Sequence, residues 1–270
     1  MSRMVLTLKS PPAIVVDCSP LTPDRLAGKS ATAIAAIELQ SGNRRLTVGE
    51  LFDIDGESGD TLVIRNACSK LDRIGANMNG GSLEVEGDVG AFLGAGLLSG
   101  RIRVSGKAGA FAATGMVAGT LHVCGNVGDF LGAAIAGDKQ GMLGGLVIVD
   151  GDAGDRVGDH LRRGIILVGG NAGDYCASRM LAGTIAVRGR VGALPGYAMK
   201  RGTLLLSCTT DLPATFNDCG THELLFLRLL ARHLAGIDTA AAPFAPHGER
   251  VRRFVGDRAN GGLGEILITA

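Results

Sequence analysis

The chain has 270 residues, a formal net charge of +1 and 46% apolar residues, but only 4% aromatic residues and no tryptophan. A nearly neutral chain does not favour partners recognised by charge alone, so we expect neither nucleic acid nor a membrane as a partner. No apolar stretch has the length of a signal-peptide core or a membrane span, which predicts a cytoplasmic protein. The 43 glycines exceed the usual share of about 7% and indicate a repetitive architecture.

Residues 1–60 are predicted to form a small α/β cap at the N-terminal end. The stretch "MVLTL" favours a short strand. The segment "TPDRLAG" predicts a short helix: Thr22 is a candidate N-cap, Pro23 suits the first helical position and Gly28 ends the helix. Ser30 is a candidate N-cap for a second helix. Such a cap would cover the strand edge of the region that follows.

A 19-residue repeat occupies residues 61–206. Six clear copies begin at Ser82, Arg101, Thr120, Leu146, Ile165 and Thr184. A degenerate copy begins at Thr61, and a short copy begins at Thr203. The copy that begins at Thr120 carries seven extra residues around "DKQGMLG". Below, position 1 denotes the first residue of a copy.

The repeat predicts an all-β fold of stacked parallel strands, a β-solenoid. Positions 2 and 4 are apolar, the period-2 pattern of a strand with one buried face. Such a strand cannot bury its own apolar face, whereas stacking equivalent strands can. Positions 6, 9 and 19 are glycine, as expected for corners that need positive φ or close backbone packing. A dinucleotide-binding glycine loop is disfavoured because that motif occurs once, not six times.

Residues 207–270 are predicted to form a C-terminal helix and a docking tail. Thr221 is a candidate cap for a leucine-rich helix that runs to Gly236 and is apolar nearly all round, so it favours burial on more than one side. The tail that contains "PFAPHGERVRRFVGDRANGGLGE" is predicted to be irregular and basic, suited to docking on a partner.

No motif in the sequence predicts a catalytic residue or a metal site. The five histidines are isolated, and the six cysteines form no CxxC pair and match no zinc spacing. Stacking would align Asp129, Asp155 and Asp174 at position 10 of three repeats. Such carboxylates could bind a cation or act as acid and base, although aspartate beside glycine also suits tight turns. We favour the turn role and keep an autonomous enzyme, such as a lyase, as the alternative.

A second column predicts a basic strip near the end of the repeats. Positions 15 to 18 would bring together His160, Arg162, Arg163, Arg179, Lys200 and Arg201. Earlier repeats carry small or apolar residues there. Five of these residues, Arg162, Arg163, Arg179, Lys200 and Arg201, are our candidate docking site for an acidic cofactor tail or an acidic partner. A solvated surface edge is the alternative interpretation.

The repeat, the preceding "RLTVGELFDIDG" and the following "TFNDCGTHELLFLRLLARHL" resemble the C-subunit of the formylmethanofuran dehydrogenase family over the whole chain. That family has a bacterial branch in the formyltransferase/hydrolase complex of methylotrophs. The resemblance implies a right-handed parallel β-helix within a multi-subunit enzyme. It also implies partner subunits that are amidohydrolase-like, formyltransferase and dehydrogenase-like.

The bacterial branch implies transfer of a formyl group from tetrahydromethanopterin to methanofuran, followed by hydrolysis to formate during formaldehyde oxidation. The archaeal branch implies molybdenum or tungsten chemistry instead. In both branches the metal chemistry belongs to other subunits, so the resemblance implies a structural chain. It implies no cofactor bound by this chain alone and methanofuran in the assembled complex. A spacer module like that of glutamate synthase is a further alternative, because its repeat is similar.

Overall fold

A computed structural model describes residues 3–235 and 250–269 of the chain. The described residues contain a 13-stranded sheet, a small four-stranded sheet and four α-helices. The fold is therefore mostly β, as the sequence predicts.

The N-terminal segment mixes short strands and helices. The predicted strand is present, and Ser30 caps the second helix by accepting a hydrogen bond from the Ala33 N–H. Thr22 precedes the first helix, but its hydroxyl caps no N–H. The elements are β1 (Arg3–Leu8), β2 (Val16–Asp17), α1 (Pro23–Leu26), α2 (Ala31–Ala35), β3 (Glu38–Ser41), β4 (Arg44–Thr47), α3 (Val48–Leu51) and β5 (Phe52–Gly56).

Each repeat contributes one main strand. The strands of this region are β6 (Thr61–Ala67), β7 (Leu71–Asp72), β8 (Asn79–Gly87), β9 (Ser99–Val104), β10 (Thr120–Val123), β11 (Leu146–Val149), β12 (Ile165–Val168), β13 (Thr184–Val187) and β14 (Thr203–Leu206). The degenerate copy at Thr61 and the short copy at Thr203 both form strands, like the clear copies between them.

Successive repeats pair in parallel and in register. Thr120 lies opposite Arg101 on one side and opposite Leu146 on the other, so equivalent positions face each other across the seven-residue insertion. A second line of parallel bridges joins position 8 of five consecutive repeats, from Ala108 to Val191. The predicted parallel pairing is thus confirmed at the main strands and, in five of the repeats, also at position 8.

The C-terminal region corrects the sequence prediction. Thr221 lies in a strand, not at a helix cap, because it pairs with Arg252 of an antiparallel neighbour. The tail is not irregular where it is described: two of its segments are strands. The elements are β15 (Asn217–Glu223), α4 (Leu225–Ala235), β16 (Arg250–Gly256), a 3₁₀ turn (Arg258–Asn260) and β17 (Gly264–Thr269). The predicted helix end at Gly236 and the stretch "PFAPHGE" lie outside the described residues.

Strands from both end regions of the chain join the large sheet. Its order is β15-β16-β17-β14-β13-β12-β11-β10-β9-β8-β6-β1-β5, and the small sheet has the order β4-β3-β2-β7. β1 pairs in parallel with β6, and β17 pairs in parallel with β14. The outermost strands β5 and β15 pair antiparallel with their neighbours.

The core lies between the main strands and the corners of each repeat. Positions 2 and 4 of the repeats are buried, and position 16, always Leu or Met, is fully buried: Leu97, Met116, Met142, Leu161, Met180 and Met199. The outer face of β11 to β14 is also apolar, and α4 covers it. Leu227 and Leu234 of α4 are buried together with the position 3 side chains Ile148, Leu167, Ala186 and Leu205. Position 3 is therefore buried there, although the alternating pattern predicts an exposed side chain.

The glycines serve two different physical needs. Position 19 glycines, such as Gly164 and Gly183, have φ near +100°, a conformation that other residues adopt at a cost. Position 9 glycines lack positive φ and allow close approach instead. A Cβ at Gly173 would overlap the Asp155 carboxylate and press on the backbone of Gly154.

Gly173→Ala is expected to lower the free energy of unfolding by about 2–3 kcal/mol, because an added methyl group in a site with no space strains the backbone. Gly115→Ala is the matched control, since a Cβ there meets nothing within 4 Å and only the positive φ is unfavourable. We expect that change to cost about 1 kcal/mol. Urea unfolding of the purified chain measures both. Equal losses would contradict the assignment of close approach to position 9.

Candidate functional site

The aspartate column predicted at position 10 is present and is used by the backbone. The Oδ1 of Asp129 accepts a hydrogen bond from the Asp155 N–H at 2.8 Å, and Asp155 accepts one from the Asp174 N–H at 2.8 Å. Asp174 accepts in turn from the Ala193 N–H at 2.7 Å. Each carboxylate thus accepts a hydrogen bond from a backbone N–H at the corner of the next repeat. This supports the turn role over an acid–base pair.

Position 7 repeats the same arrangement one corner earlier. Asn126 accepts from the Asp152 N–H at 3.0 Å, and Asp152 accepts from the Asn171 N–H at 2.7 Å. Asp88 likewise accepts from the Lys107 N–H in the repeats before them. Two parallel ladders of side-chain acceptors therefore hold the corners together.

The predicted basic strip contains a buried acidic residue that the sequence analysis did not include. Asp159 is 2% exposed and receives two hydrogen bonds from the Arg179 guanidinium, one of them Nε to Oδ1 at 2.8 Å. The Ser178 hydroxyl donates to the same carboxylate at 3.0 Å, and His160 Nδ1 lies 3.5 Å from it. Arg179 is therefore a partner of Asp159. The pKa of His160 is lowered from its usual value, mainly by desolvation. Asp159 acts in the opposite direction, and the positive charge of Arg179 lowers the pKa further.

The remaining cations of the strip face solvent to different degrees. Lys200 donates from Nζ to the Asn260 carbonyl at 2.6 Å. Arg163 and Arg201 are exposed and Arg162 is half-buried. Within residues 3–235 and 250–269 these three guanidinium groups form no hydrogen bond or ion pair. They are the groups of the strip that are available to an anionic ligand.

An aromatic column at position 11 was missed by the sequence analysis. Phe92, Phe111 and Phe130 stack with ring centroids 5.2 and 4.6 Å apart. Their φ values are +61°, +60° and +63°, which cost bulky residues about 1–2 kcal/mol each. Ring stacking offsets part of that cost. The signal was available, because Phe recurs at the same position of three consecutive repeats.

Helix α4 has an apolar face that no described residue covers. Leu225 is 68% exposed, Leu229 is 60% exposed and Phe226 is 37% exposed. Residues three or four apart lie on one side of a helix, so Leu229 is next to both Leu225 and Phe226, and the three side chains form a single apolar face, here called the α4 face. The opposite side of the helix packs on the sheet through Leu227 and Leu234. An exposed apolar face of this kind is typical of a contact site for another protein.

Among the residues that the structure describes, one group of side chains could hold a metal ion. His122, Cys124 and Asp150 each offer one ligand atom, and these atoms all lie within 4.8 Å of one another. All six cysteines are free thiols, as expected from their spacing. Among the described residues, no helix is long and apolar enough to span a bilayer.

Stacked repeats, a basic strip and the α4 face together define a repeat protein with broad surfaces for contact. The chain is 43% identical to the C-subunit of the formyltransferase/hydrolase complex Fhc of Methylorubrum extorquens, over 94% of this chain and 95% of that protein. The crystal structure of the FhcABCD complex from that organism, with methylofuran bound, contains a similar chain: the TM-score is 0.93 at 42% identity, over 98% of this chain and 99% of the other.

Archaeal proteins are similar over a shorter segment. The C-subunit of a tungsten-containing formylmethanofuran dehydrogenase from Methanococcus maripaludis is 33% identical over 34% of this chain and 35% of its own length. The molybdenum-containing counterpart from Methanosarcina barkeri is 33% identical over 33% and 32%. No family model matches the sequence. From the near full-length similarity, the chain belongs to the C-subunit family of formyltransferase/hydrolase complexes.

Asp155→Ala and Asp155→Asn separate the two roles considered for the aspartate column. The alanine variant removes the acceptor of the Asp174 N–H, and we expect it to lower the free energy of unfolding by about 1–2 kcal/mol. The asparagine variant keeps an acceptor oxygen, so stability close to that of the unchanged chain is expected. Chemical denaturation measures both. Turnover by the isolated chain that the asparagine variant abolishes would contradict the structural role.

Proposed function

We propose that this chain is the structural, non-catalytic subunit of a cytoplasmic formyltransferase/hydrolase complex. That complex would carry the formyl group of formyl-tetrahydromethanopterin through formylmethanofuran to formate, in formaldehyde oxidation. The observation that carries the proposal is the similarity to the Fhc C-subunit along nearly the whole of both chains. The dehydrogenase relatives match only about a third of the chain, which favours the formyltransferase/hydrolase context.

The proposal includes the finer architecture that the resemblance implies. The repeats of residues 61–206 would wind as a right-handed parallel β-helix, between a cap of residues 1–60 and a C-terminal region of residues 207–270. Parallel pairing in register from β6 to β14 supports this winding. A stack of this kind is rigid, because each repeat is hydrogen-bonded to its neighbours at several points.

The α4 face supports a role in assembly. Leu225, Phe226 and Leu229 present a contiguous apolar surface on a helix whose other side is fixed to the sheet. Leaving such a face in water is unfavourable by roughly 25 cal/mol per Å² of apolar surface. We propose that another member of the complex covers it, in line with partner subunits that are amidohydrolase-like, formyltransferase and dehydrogenase-like.

Co-purification tests the subunit role and the α4 face together. A tagged chain expressed in its native host is expected to retain formyltransferase and amidohydrolase-like subunits, without a molybdopterin protein, as identified by mass spectrometry. Leu225→Lys combined with Leu229→Lys places two charges on the α4 face, and we expect recovery of the partners to fall at least about tenfold. Because both side chains are exposed, the chain itself should fold normally.

Ile14→Lys with Val15→Lys is the matched control for the α4 variant. These residues are 49% and 47% exposed and lie in the N-terminal segment, away from α4. Partner recovery should stay near the level of the unchanged chain. Unchanged recovery in the α4 variant would rule out that face as an assembly interface. A chain that retains none of the expected enzymes would rule out the subunit role itself.

The basic strip is proposed to seat the acidic tail of a methanofuran-type cofactor in the assembled complex. The similar crystal structure contains methylofuran, which makes a cofactor of this class the first candidate. Arg162, Arg163 and Arg201 have no intrachain partner among the described residues, so their charges remain available. Arg179 contributes less than the sequence suggests, because Asp159 already occupies its guanidinium. Guanidinium groups pair well with carboxylates, so this surface suits an anionic chain.

Charge reversal tests the strip. The combined change of Arg162, Arg163, Lys200 and Arg201 to Glu is expected to weaken cofactor binding by the assembled complex about tenfold or more, since attraction becomes repulsion. Isothermal titration of the purified complex measures the affinity. A control that changes Arg44, Arg101, Lys107 and Lys139, four exposed cations outside the strip, reverses the same charge. Equal affinities in both variants would exclude the strip as the cofactor seat.

A further inference from the structure

A polar cluster lies on the outer face of the large sheet, where two strands meet beside the seven-residue insertion. His122 is the third residue of β10, Cys124 directly follows β10, and Asp150 directly follows β11. The register sets His122 opposite Ile148, and the Asp150 N–H donates to the Val123 carbonyl at 3.0 Å. Parallel pairing therefore fixes the backbone under all three side chains.

The cluster is close-packed and incompletely satisfied. His122 is 8% exposed, and its Nε2 lies 2.8 Å from Asp150 Oδ2. The second carboxylate oxygen, Asp150 Oδ1, is buried and has no hydrogen-bond partner among the described residues. A buried oxygen without a partner is unfavourable, so a ligand for it would be stabilising.

We propose that His122, Cys124 and Asp150 bind one divalent transition-metal ion, with zinc as the best fit. One nitrogen, one sulfur and one oxygen ligand form a donor set that zinc accepts in proteins. The thiolate disfavours magnesium and calcium, which prefer oxygen ligands only. Three protein ligands leave the fourth position of a tetrahedral site to a water molecule.

The geometry is compatible with this ion. In a tetrahedral zinc site the ligand atoms are about 3.3–3.6 Å apart, as follows from the usual zinc–ligand lengths. The three atoms here already lie within 4.8 Å of one another. Binding would require rotation of the three side chains to bring these atoms closer together. The ion would take the place of the hydrogen bond between His122 and Asp150.

The charges balance on binding. Zinc carries two positive charges, and the Cys124 thiolate and Asp150 carboxylate carry one negative charge each, so the buried site becomes neutral. Cys124 gives up its thiol proton to solvent, and neutral His122 donates the lone pair of one ring nitrogen. In the metal-free chain burial raises the pKa of the Cys124 thiol, while Arg103 acts in the opposite direction. Asp150 raises that pKa further.

Such an ion would cross-link two successive repeats, because His122 and Cys124 belong to one and Asp150 to the next. The insertion between β10 and β11 makes this connection longer than any other between the clear repeats. A longer connection is entropically less favourable to close, and a metal ion that joins its two ends opposes that cost. The site therefore lies where the stack has most to gain from a cross-link.

Metal titration of the full, tag-free chain tests the proposal. With zinc we expect about one ion bound per chain by mass spectrometry and a raised unfolding temperature. Cobalt(II) as a probe should give the near-ultraviolet charge-transfer band of a thiolate ligand. Cys124→Ala should abolish that band and weaken zinc binding by roughly tenfold or more. Cys208→Ala is the control, since Cys208 is half-buried but outside the cluster, and it should retain both properties.

Asp150→Asn provides a second variant that preserves shape, in case Cys124→Ala folds poorly. It should also weaken zinc binding, because the carboxylate charge is lost. Absence of the thiolate band in the unchanged chain would overturn the proposal. Zinc retained with unchanged affinity in both cluster variants would also overturn it, since the ion would then lie elsewhere. These outcomes are independent of whether the chain assembles with other subunits.

Discussion

The close approach of successive repeats is the constraint on which the rest of this structure depends. Neighbouring strands lie about 4.8 Å apart, and in this stack the corners must follow at the same spacing. At positions 6 and 9 only glycine fits, because a side chain or the backbone of the preceding repeat already occupies the space of a Cβ. Gly173 against Asp155 and Gly151 against Asn126 are examples. The acceptor side chain of one repeat therefore requires glycine at the corresponding corner of the next repeat.

This arrangement determines which polar groups remain for function. The aspartates at position 10 are engaged by backbone N–H groups, so their alignment reflects construction of the corner. Asp159 engages Arg179 in a similar way. The exposed groups include the arginines of the basic strip and the α4 face. Both are surfaces for contact, which agrees with a family whose relatives belong to multi-subunit enzymes.

The sequence was informative wherever local pattern alone decides the structure. Strand positions, parallel pairing and glycine corners follow from the 19-residue period, and the structure has all three. It was less informative where distant segments meet. Thr221 resembles a helix cap in the local sequence, but it lies in a strand. Its pairing partner Arg252 is 31 residues further along the chain, beyond the reach of a local pattern. Likewise, His122 and Asp150 come together only through the register across an insertion, which no linear spacing rule describes.

The position of β17 has a consequence for how the chain matures. β14 is the last strand of the repeats, yet its outer edge pairs with Gly264–Thr269, a segment synthesised well after it. Until those residues emerge from the ribosome, the hydrogen-bonding groups of β14 are open to any other extended chain. The stack can therefore grow during synthesis, but this edge becomes closed to strand addition only when β17 arrives. A chain that lacks Gly264–Thr269 would keep a surface prone to aggregation.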